Sequence, residues 1–574
     1  MSVERISVVG YIGTLARAAA GVLQGRGHSV LLHDIRQSPG GTPTGNPTRI
    51  LYLPFPPGMG RKEIERKPED LNVLRSILGW ALASGVRRFV LRSHAVAYGV
   101  SMKNPGLLDE GRNSLLPKES LDRRWLQAEE AVLSAAGTKD HAMSTAAVRL
   151  VSILDQEEGD PVTRMLLGKV TVCMAGYDPQ LQFLSLSDAS ECLASAVCSD
   201  APGVFNGSGP GTVPSKAALR ASVPVRLPVN GALQKPLRTI LWKSGIVELP
   251  GEALDRVKYN WTVSADKAAK ELGFRARQTS SQALREFLRS QGRGRPGRIK
   301  EEYDEFGLNP EYIARRNWWF NFLCRIYWRA EAEGLENIPS EAPALLVANH
   351  RGFMPFDGVV HRHTILMAKR RHIRFLVIPS LFKFPFLSDF LVRQGGVVAS
   401  QTNTQKLFAR KDLVGIFPEG INGAFRMYKG AYRLGDMSRN HFAKMAIENG
   451  VPIIPSATIG HVEIFPILYK VHSSLVVRQT GWPFLPITPT FPLLPVPLPS
   501  KWHIRYLEPI PVNGYGSADA ADPKAVNDLA ARVVSVMQRN IDEMLGRRKH
   551  VFFGNIFDRP ADRSRGIQPG VTRQ

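Results

Sequence analysis

The chain has 574 residues, more than one hydrophobic core usually serves, so two or three domains are expected. With 44% hydrophobic and 22% charged residues it lies in the ordinary globular range, which excludes a disordered, collagen-like or disulfide-scaffold chain. Lys and Arg number 74 against 51 Asp and Glu, and the resulting net charge of +23 suits polyanionic partners, an anionic membrane surface among them.

The four cysteines, Cys173, Cys192, Cys198 and Cys324, show neither CxxC pairing nor zinc-ligand spacing, which fits a reducing compartment. The first ten residues, MSVERISVVG, turn directly into a strand-like run without a secretory signal. The longest uncharged stretch, 479–500, holds seven prolines and cannot be a spanning helix. The expected location is cytoplasmic, with peripheral attachment to the inner face of the cell membrane.

From Val8 to Asp34 the pattern is strand, the turn Gly10-Tyr11-Ile12-Gly13, an Ala-rich helix, a second strand, and an acid about 20 residues beyond the turn. Glycines there let a diphosphate approach a helix amino end, and the acid can accept ribose hydroxyls. The runs RISVVG, HSVLLHD, TRILYLPF and RRFVLRS alternate with helical stretches, which predicts an α/β, Rossmann-like, doubly wound parallel sheet. Together with RRFVLRSHAVAYG (87–99), the helix around Glu129, LQFLSLSDAS (181–190) and GVFNGSGPG (203–211), this stretch resembles the extended short-chain dehydrogenase/reductase family of nucleotide-sugar epimerase type. The resemblance covers nearly all of residues 1–288. It implies a cofactor cradle of Gly10, Gly13 and Asp34 and NAD or NADP as its guest.

The departures are chemical. The turn lacks the family's first glycine, no tyrosine occurs between Tyr98 and Tyr177, and His94 stands where the family places a catalytic Ser or Thr. Carbonyl reduction needs an acid beside the hydride site, so this half reads as a degenerate, noncatalytic nucleotide-fold domain. On the plainer reading Gly10 and Gly13 permit tight strand-to-helix packing and His94 is a solvated loop residue.

Residues 289–300, RSQGRGRPGRIK, read as a basic linker. Their Arg293-Gly294-Arg295-Pro296 resembles the core of an AT-hook, but one tetrapeptide is a weak match, and nucleic acid is not expected as a partner.

Residues 301–550 repeat an α/β pattern through ALLVANH, RFLVIPS, LVGIFPEG and VPIIPSATIG. The first of these strands runs into NHRGFMPFDG, residues 349–358, where Gly352 and Pro355 break regular structure and let Asp357 bend back toward His350. A carboxylate on one ring nitrogen would fix the tautomer and leave the other as a base. Downstream, IFPEGINGAFR (416–426) sets Glu419 on a Pro-Gly turn. In this order the motifs resemble the glycerolipid (lysophospholipid) acyltransferase family, in the branch similar to monoacylglycerol/diacylglycerol acyltransferases, over about residues 310–550.

That resemblance implies transfer of a fatty acyl group from acyl-CoA or acyl carrier protein to the hydroxyl of a glycerolipid-type acceptor, with no metal and no cofactor required for the transfer. His350 would be the general base and Asp357 its orienting carboxylate. Asn349, Arg351, Gly352, Phe417, Pro418, Glu419, Gly420 and Arg426 would form the substrate site. Phosphate-acceptor members follow the turn with a hydroxyl residue and an arginine; here Ile421-Asn422-Gly423 follow, which weakens a phosphorylated acceptor.

The aromatic, arginine-flanked stretch 309–329 reads either as an interfacial helix on an anionic membrane or as a helix buried against the core. The proline-rich 479–500 stretch reads as an apolar lip or a packed crossover. Asp522-Pro523 predicts a capped helix with Val526, Leu529, Val533, Met537, Ile541 and Met544 on one face, closed by Gly546. Residues 551–574 read as a polar tail. Two other functional readings are a bifunctional NAD(P)-dependent reductase or epimerase fused to an acyltransferase, and a basic DNA- or membrane-binding scaffold.

Overall fold

The computed structural model describes the chain except for residues 1–2, 36, 38–42, 55–68, 112–119, 137–142, 159, 230–233, 248–254, 436–439, 494–495 and 558–574. It divides into two compact units, 1–310 with 379–398, and 311–378 with 399–574. The basic stretch is not a free connection. Its first two residues end the helix Ser280–Ser290, and the amide of Arg295 donates to the carbonyl of Ala221. The first unit therefore extends past the sequence-derived boundary at 288, and it also takes in Pro379–Val398 from within the acyltransferase-like half.

The sheet of the first unit holds β1 (Arg5–Gly10), β2 (Ser29–Asp34), β3 (Arg49–Leu53), β4 (Arg88–His94), β5 (Ser144–Leu150) and β6 (Gly203–Gly207). Their order is β6-β5-β4-β3-β1-β2, every pair parallel. Such strands are covered on both faces and read as continuous apolar runs; β3 and β4 are buried at every position. The helix α1 (Thr14–Gly25) buries Leu15, Ala16, Ala19, Ala20 and Leu23, a stripe at helical spacing whose alanines admit close packing against α2 (Leu186–Cys198). This is the Rossmann-type α/β fold the alternation predicts.

In the second unit β7 (Glu331–Glu333), β8 (Ala344–Ala348), β9 (Ile373–Val377), β10 (Leu413–Ile416), β11 (Ile453–Ile459) and β12 (His503–Tyr506) lie in the order β7-β12-β11-β8-β10-β9. Only the β11–β12 pair is antiparallel. Because β8 lies between β11 and β10, with Ala348 opposite Ser456 and Val347 opposite Ile416, the residues leaving these three strands are brought together at one sheet end. Ligand sites of open α/β sheets lie at this carboxyl edge.

The helix α3 (Phe356–Lys369) follows β8, and α4 (His441–Asn449) precedes β11. The long closing helix α5 (Pro523–Arg547) is capped by Asp522, whose carboxylate accepts the amides of Lys524 and Ala525, and it buries all six residues of the expected face. Gly546 does not close it: the helix runs one residue further, with Arg548 at its carboxyl end. No helix among the described residues is long and apolar enough to cross a membrane.

Candidate active site

His350 lies two residues beyond the end of β8, and the turn it enters passes through Gly352 in the left-handed region (φ 77°) before α3 begins. That turn brings Asp357, in the first turn of α3, back to the imidazole. His350 Nδ1 donates to Asp357 Oδ2 at 2.8 Å, and the same oxygen accepts the Arg351 amide at 2.8 Å. Asp357 is 1% exposed, whereas the His350 side chain is 18% exposed. Burial pushes the Asp357 carboxyl above its ordinary value, an effect countered in part by the bonds from His350 and from the Arg351 amide. With Nδ1 bonded to the carboxylate, His350 Nε2 is left as an acceptor without a protein partner among the described residues. The Phe417 ring stacks on the imidazole at 4.8 Å and is itself stacked on Phe375 at 5.1 Å, so the base is held between a carboxylate and an aromatic plane.

The other expected site residues separate into two groups. Phe417, Pro418, Gly420 and Arg426 are half-buried around the imidazole's turn and the one that follows β10, and Gly352 is buried within the His350 turn. Asn349, Arg351 and Glu419 are buried and engaged within the protein. Asn349 exchanges two bonds with Thr458 of β11, donating to its carbonyl at 3.0 Å and accepting its amide at 2.9 Å. Arg351 NH1 pairs with Glu419 Oε1 at 2.7 Å, while its other nitrogens donate to the carbonyls of Ala431 and Arg433. Glu419 also accepts the His350 amide at 3.2 Å and the Gly435 amide at 2.8 Å. These three side chains thus fix the turn that carries His350 to the strands on either side. Arg426 donates to the Arg433 carbonyl.

One contributor had no local signal in the sequence. A Cβ at Gly423 would collide with Glu419 Cβ and lie 3.1 Å from the His350 carbonyl, so this glycine lets the two turns touch. Beside the dyad, Phe353 packs against Phe425, Phe465, Trp482 and Phe491 at ring separations of 4.8 to 6.0 Å, a continuous aromatic wall. It draws the proline-rich stretch into the core of this unit, and within that stretch Leu485–Ile487 pairs antiparallel with Tyr469–Val471.

The sequence-derived nucleotide cradle is built differently. A Cβ on Gly10, at φ 129°, would collide with the Leu53 carbonyl, so this glycine serves the approach of β1 to β3. Gly13 begins α1, and Asp34 ends β2 half-buried. At the amino end of α1, where a diphosphate would meet the helix amides, the Leu15 amide bonds the Glu158 carboxylate and Thr14 Oγ1 donates to Asp155 at 2.7 Å. Glu158 is paired with Arg92 at 3.2 Å, both nearly sealed from solvent.

His94 is not a solvated loop residue. It is buried, with Nε2 bonded to Asp160 at 2.9 Å and Nδ1 accepting the Val96 amide at 3.2 Å, under the rings of Trp125 and Trp261. Both ring nitrogens are used, and burial lowers its pKa from the usual value despite Asp160. These contacts are made at the strand and helix ends where the resemblance places NAD or NADP.

A dyad with one open ring nitrogen is thus set at the carboxyl edge of the sheet beside an apolar wall. Residues 329–459 match the acyltransferase family model. The chain is 36% identical over 260 residues to an uncharacterized protein of Mycobacterium tuberculosis, covering 44% of this chain and 72% of the relative, and 35% identical over 260 residues to one of Mycobacterium leprae, covering 44% and 70%. This chain belongs to the acyltransferase family. A bovine relative, a DGAT1/2-independent enzyme synthesizing storage lipids, is 28% identical over 223 residues, or 37% of this chain and 59% of the relative. Solved structures similar to half of the chain include MoeE5 in complex with UDP-glucuronic acid and NAD (17% identity, TM-score 0.39, covering 50% of this chain and 99% of that one) and a UDP-N-acetylglucosamine 4-epimerase from Bacillus cereus (13%, 0.37, 50% and 99%).

Proposed function

We propose that the protein transfers a fatty acyl group from a thioester, acyl-CoA or acyl carrier protein, to the hydroxyl of an uncharged glycerolipid-type alcohol. The observation that carries this reading is the open Nε2 of His350 opposite its Asp357 bond. His350 Nε2 takes the hydroxyl proton as the alcohol oxygen attacks the thioester carbonyl; the tetrahedral intermediate collapses, the C–S bond breaks, and the imidazolium returns the proton to the departing thiolate. Asp357 holds the tautomer and offsets the imidazolium charge.

An uncharged acceptor is supported by the lining: Arg351 is paired with Glu419, Arg426 is turned to a backbone carbonyl, and the aromatic wall of Phe353, Trp482 and Phe491 offers an acyl chain apolar contact. The storage-lipid synthesis named for the bovine relative points to the same substrate class.

Membrane delivery belongs to the same reading. In the stretch 309–329, Phe320, Leu323, Cys324 and Trp328 are buried, while Trp318, Trp319 and Ile326 are 71%, 43% and 65% exposed near Arg315, Arg316, Arg325 and Arg329. One face packs on the core and the other suits the headgroup level of an anionic bilayer.

The test is thiol release by the purified full chain from acyl-CoA or acyl-carrier-protein thioesters, offered mono- and diacylglycerol, lysophosphatidate or no acceptor on mixed micelles. Acceptor-dependent release with the neutral alcohols, lost in His350→Ala, is the expected result. Release that is independent of acceptor, or that survives His350→Ala, overturns the assignment.

A further inference from the structure

The arginines of the stretch that reads as a linker fold into a hollow of the first unit, and the acyltransferase site does not involve them. The hollow, about 500 Å³, is formed where three segments meet: 168–169, 220–226 and 293–298. It is lined by Lys169, Arg220, Arg226, Arg293, Arg295 and Arg298, and no acidic or aromatic residue contributes to its wall. None of the six forms an ion pair among the described residues, although the chain carries 51 Asp and Glu. Gathering six like charges about one concavity opposes folding, and a bound anion reverses the sign of that interaction.

The backbone that presents them is fixed. Gly294, at φ 71°, lies so close to the helix Ser215–Ser222 that a Cβ would collide with the Ala221 carbonyl, and the Arg295 amide donates to that same carbonyl at 2.6 Å. The strand Val225–Val229 pairs in parallel with Val170–Met174, which sets Arg226 opposite Thr171, two residues from Lys169. Arg293 and Arg226 each direct one N–H to a carbonyl, those of Leu167 and Val223, which orients the guanidinium and leaves its other donors for a ligand.

We propose that this hollow binds a phosphate-rich group carrying at least two phosphates. Five of the six cations are arginines, whose planar forks suit bidentate phosphate contacts, and the volume lies in the range of small-molecule sites. Single-stranded nucleic acid is disfavoured because the wall offers no ring for base stacking. Duplex DNA is disfavoured because Arg293-Gly294-Arg295-Pro296 is pinned along a helix and is not a free arm of the kind that enters a minor groove. The group can come from a soluble polyphosphorylated compound or from a lipid headgroup with several phosphates.

The experiment is calorimetric titration of the full chain with inorganic tripolyphosphate at near-physiological salt, for the natural sequence, for Arg220→Gln with Arg295→Gln, and for Arg295→Lys. Both arginines are exposed, so the substitutions leave the fold in place, which circular dichroism verifies. Saturable binding of one tripolyphosphate per chain is expected, weakened about tenfold or more in the double variant and by less in Arg295→Lys, which keeps the charge and loses the fork. Competition by cardiolipin-doped phosphatidylcholine vesicles, absent with undoped vesicles, assigns the lipid source; no competition assigns the soluble one. The proposal is overturned by the absence of saturable binding, by equal affinity in the double variant, or by duplex DNA binding that tripolyphosphate does not displace.

Discussion

An imidazole becomes a useful base when one ring nitrogen is committed and the other is free, and the Asp357 bond makes that division at His350. Replacing Asp357 with Asn separates catalysis from stability. With its amide oxygen in the place of Oδ2, the Asn side chain keeps the bonds from Nδ1 and from the Arg351 amide but carries no charge to offset the imidazolium, so kcat is expected to fall, by up to roughly 10⁴-fold. Stability moves differently. Burial raises the folded carboxyl's pKa, so the ionised form is disfavoured relative to the unfolded chain at neutral pH, and this penalty vanishes as pH falls through the raised value. The substituted amide carries no charge, so the thermal midpoint at neutral pH should be unchanged or higher while activity is lost. A kcat drop accompanied by a lower midpoint in D357N would instead make Asp357 a structural residue.

At the scale of elements, the site is a junction of three strand ends, and the Arg351–Glu419 pair joins the turn after β8 to the turn after β10. Both side chains are nearly sealed, so removing one partner strands the other charge, whereas removing both relieves it. Arg351→Met alone should cost about 3–5 kcal/mol in chemical denaturation, and adding Glu419→Gln should return at least about 1 kcal/mol. Additive losses would show that the two do not interact.

The local parts of this junction are legible in the sequence. Gly352 and Pro355 announce the bend that returns Asp357 to His350, and Val526 to Met544 recur at helical spacing after an Asp-Pro cap. The pairings that span the chain are not legible. Nothing near Arg351 names Glu419 as its partner, since a long stretch of chain separates them and only the sheet register brings them together, and the two read as substrate contacts when taken singly. His94 misleads for the same reason: its loop position suggests solvent, and the residues that bury it, Trp125, Asp160 and Trp261, come from other segments. Glu158 likewise meets Arg92 near the head of α1 only once the fold places it there.

Across the whole molecule the charge of +23 is unevenly used: cations gather in the hollow of the first unit, while in the second unit buried histidines are held neutral. His361, bonded to Tyr506 and Thr458, is pushed down to about 3 by burial. His363 and His503 are pushed to about 4, first by burial and then by cations near them, Arg362 and Arg325 for one and Lys501 and Arg548 for the other. His461 lies well below the usual value, from burial first and Arg351 next.

Each folded pKa lies below that of the unfolded chain, so each histidine supports folding fully above about pH 6.5, and that support is lost as the unfolded form takes up protons at lower pH. The stability of the second unit should therefore fall from pH 7 to pH 5, each sealed histidine adding a slope of about 1.4 kcal/mol per pH unit below pH 6. Asp357, whose raised pKa acts in the opposite sense, offsets part of this only where it binds its proton. Among the described residues the His503 ring bonds no other side chain, has the Gly554 backbone as its polar neighbour, and packs edge-on against Phe557 at 5.5 Å, so His503→Leu removes one titrating group with little loss of bonding. Urea midpoints measured at intervals across that range should show a slope shallower by one histidine in the variant. A stability that stays flat from pH 7 to pH 5 would mean that these rings are protonated inside the folded protein, and that the core around His361 and His461 admits water.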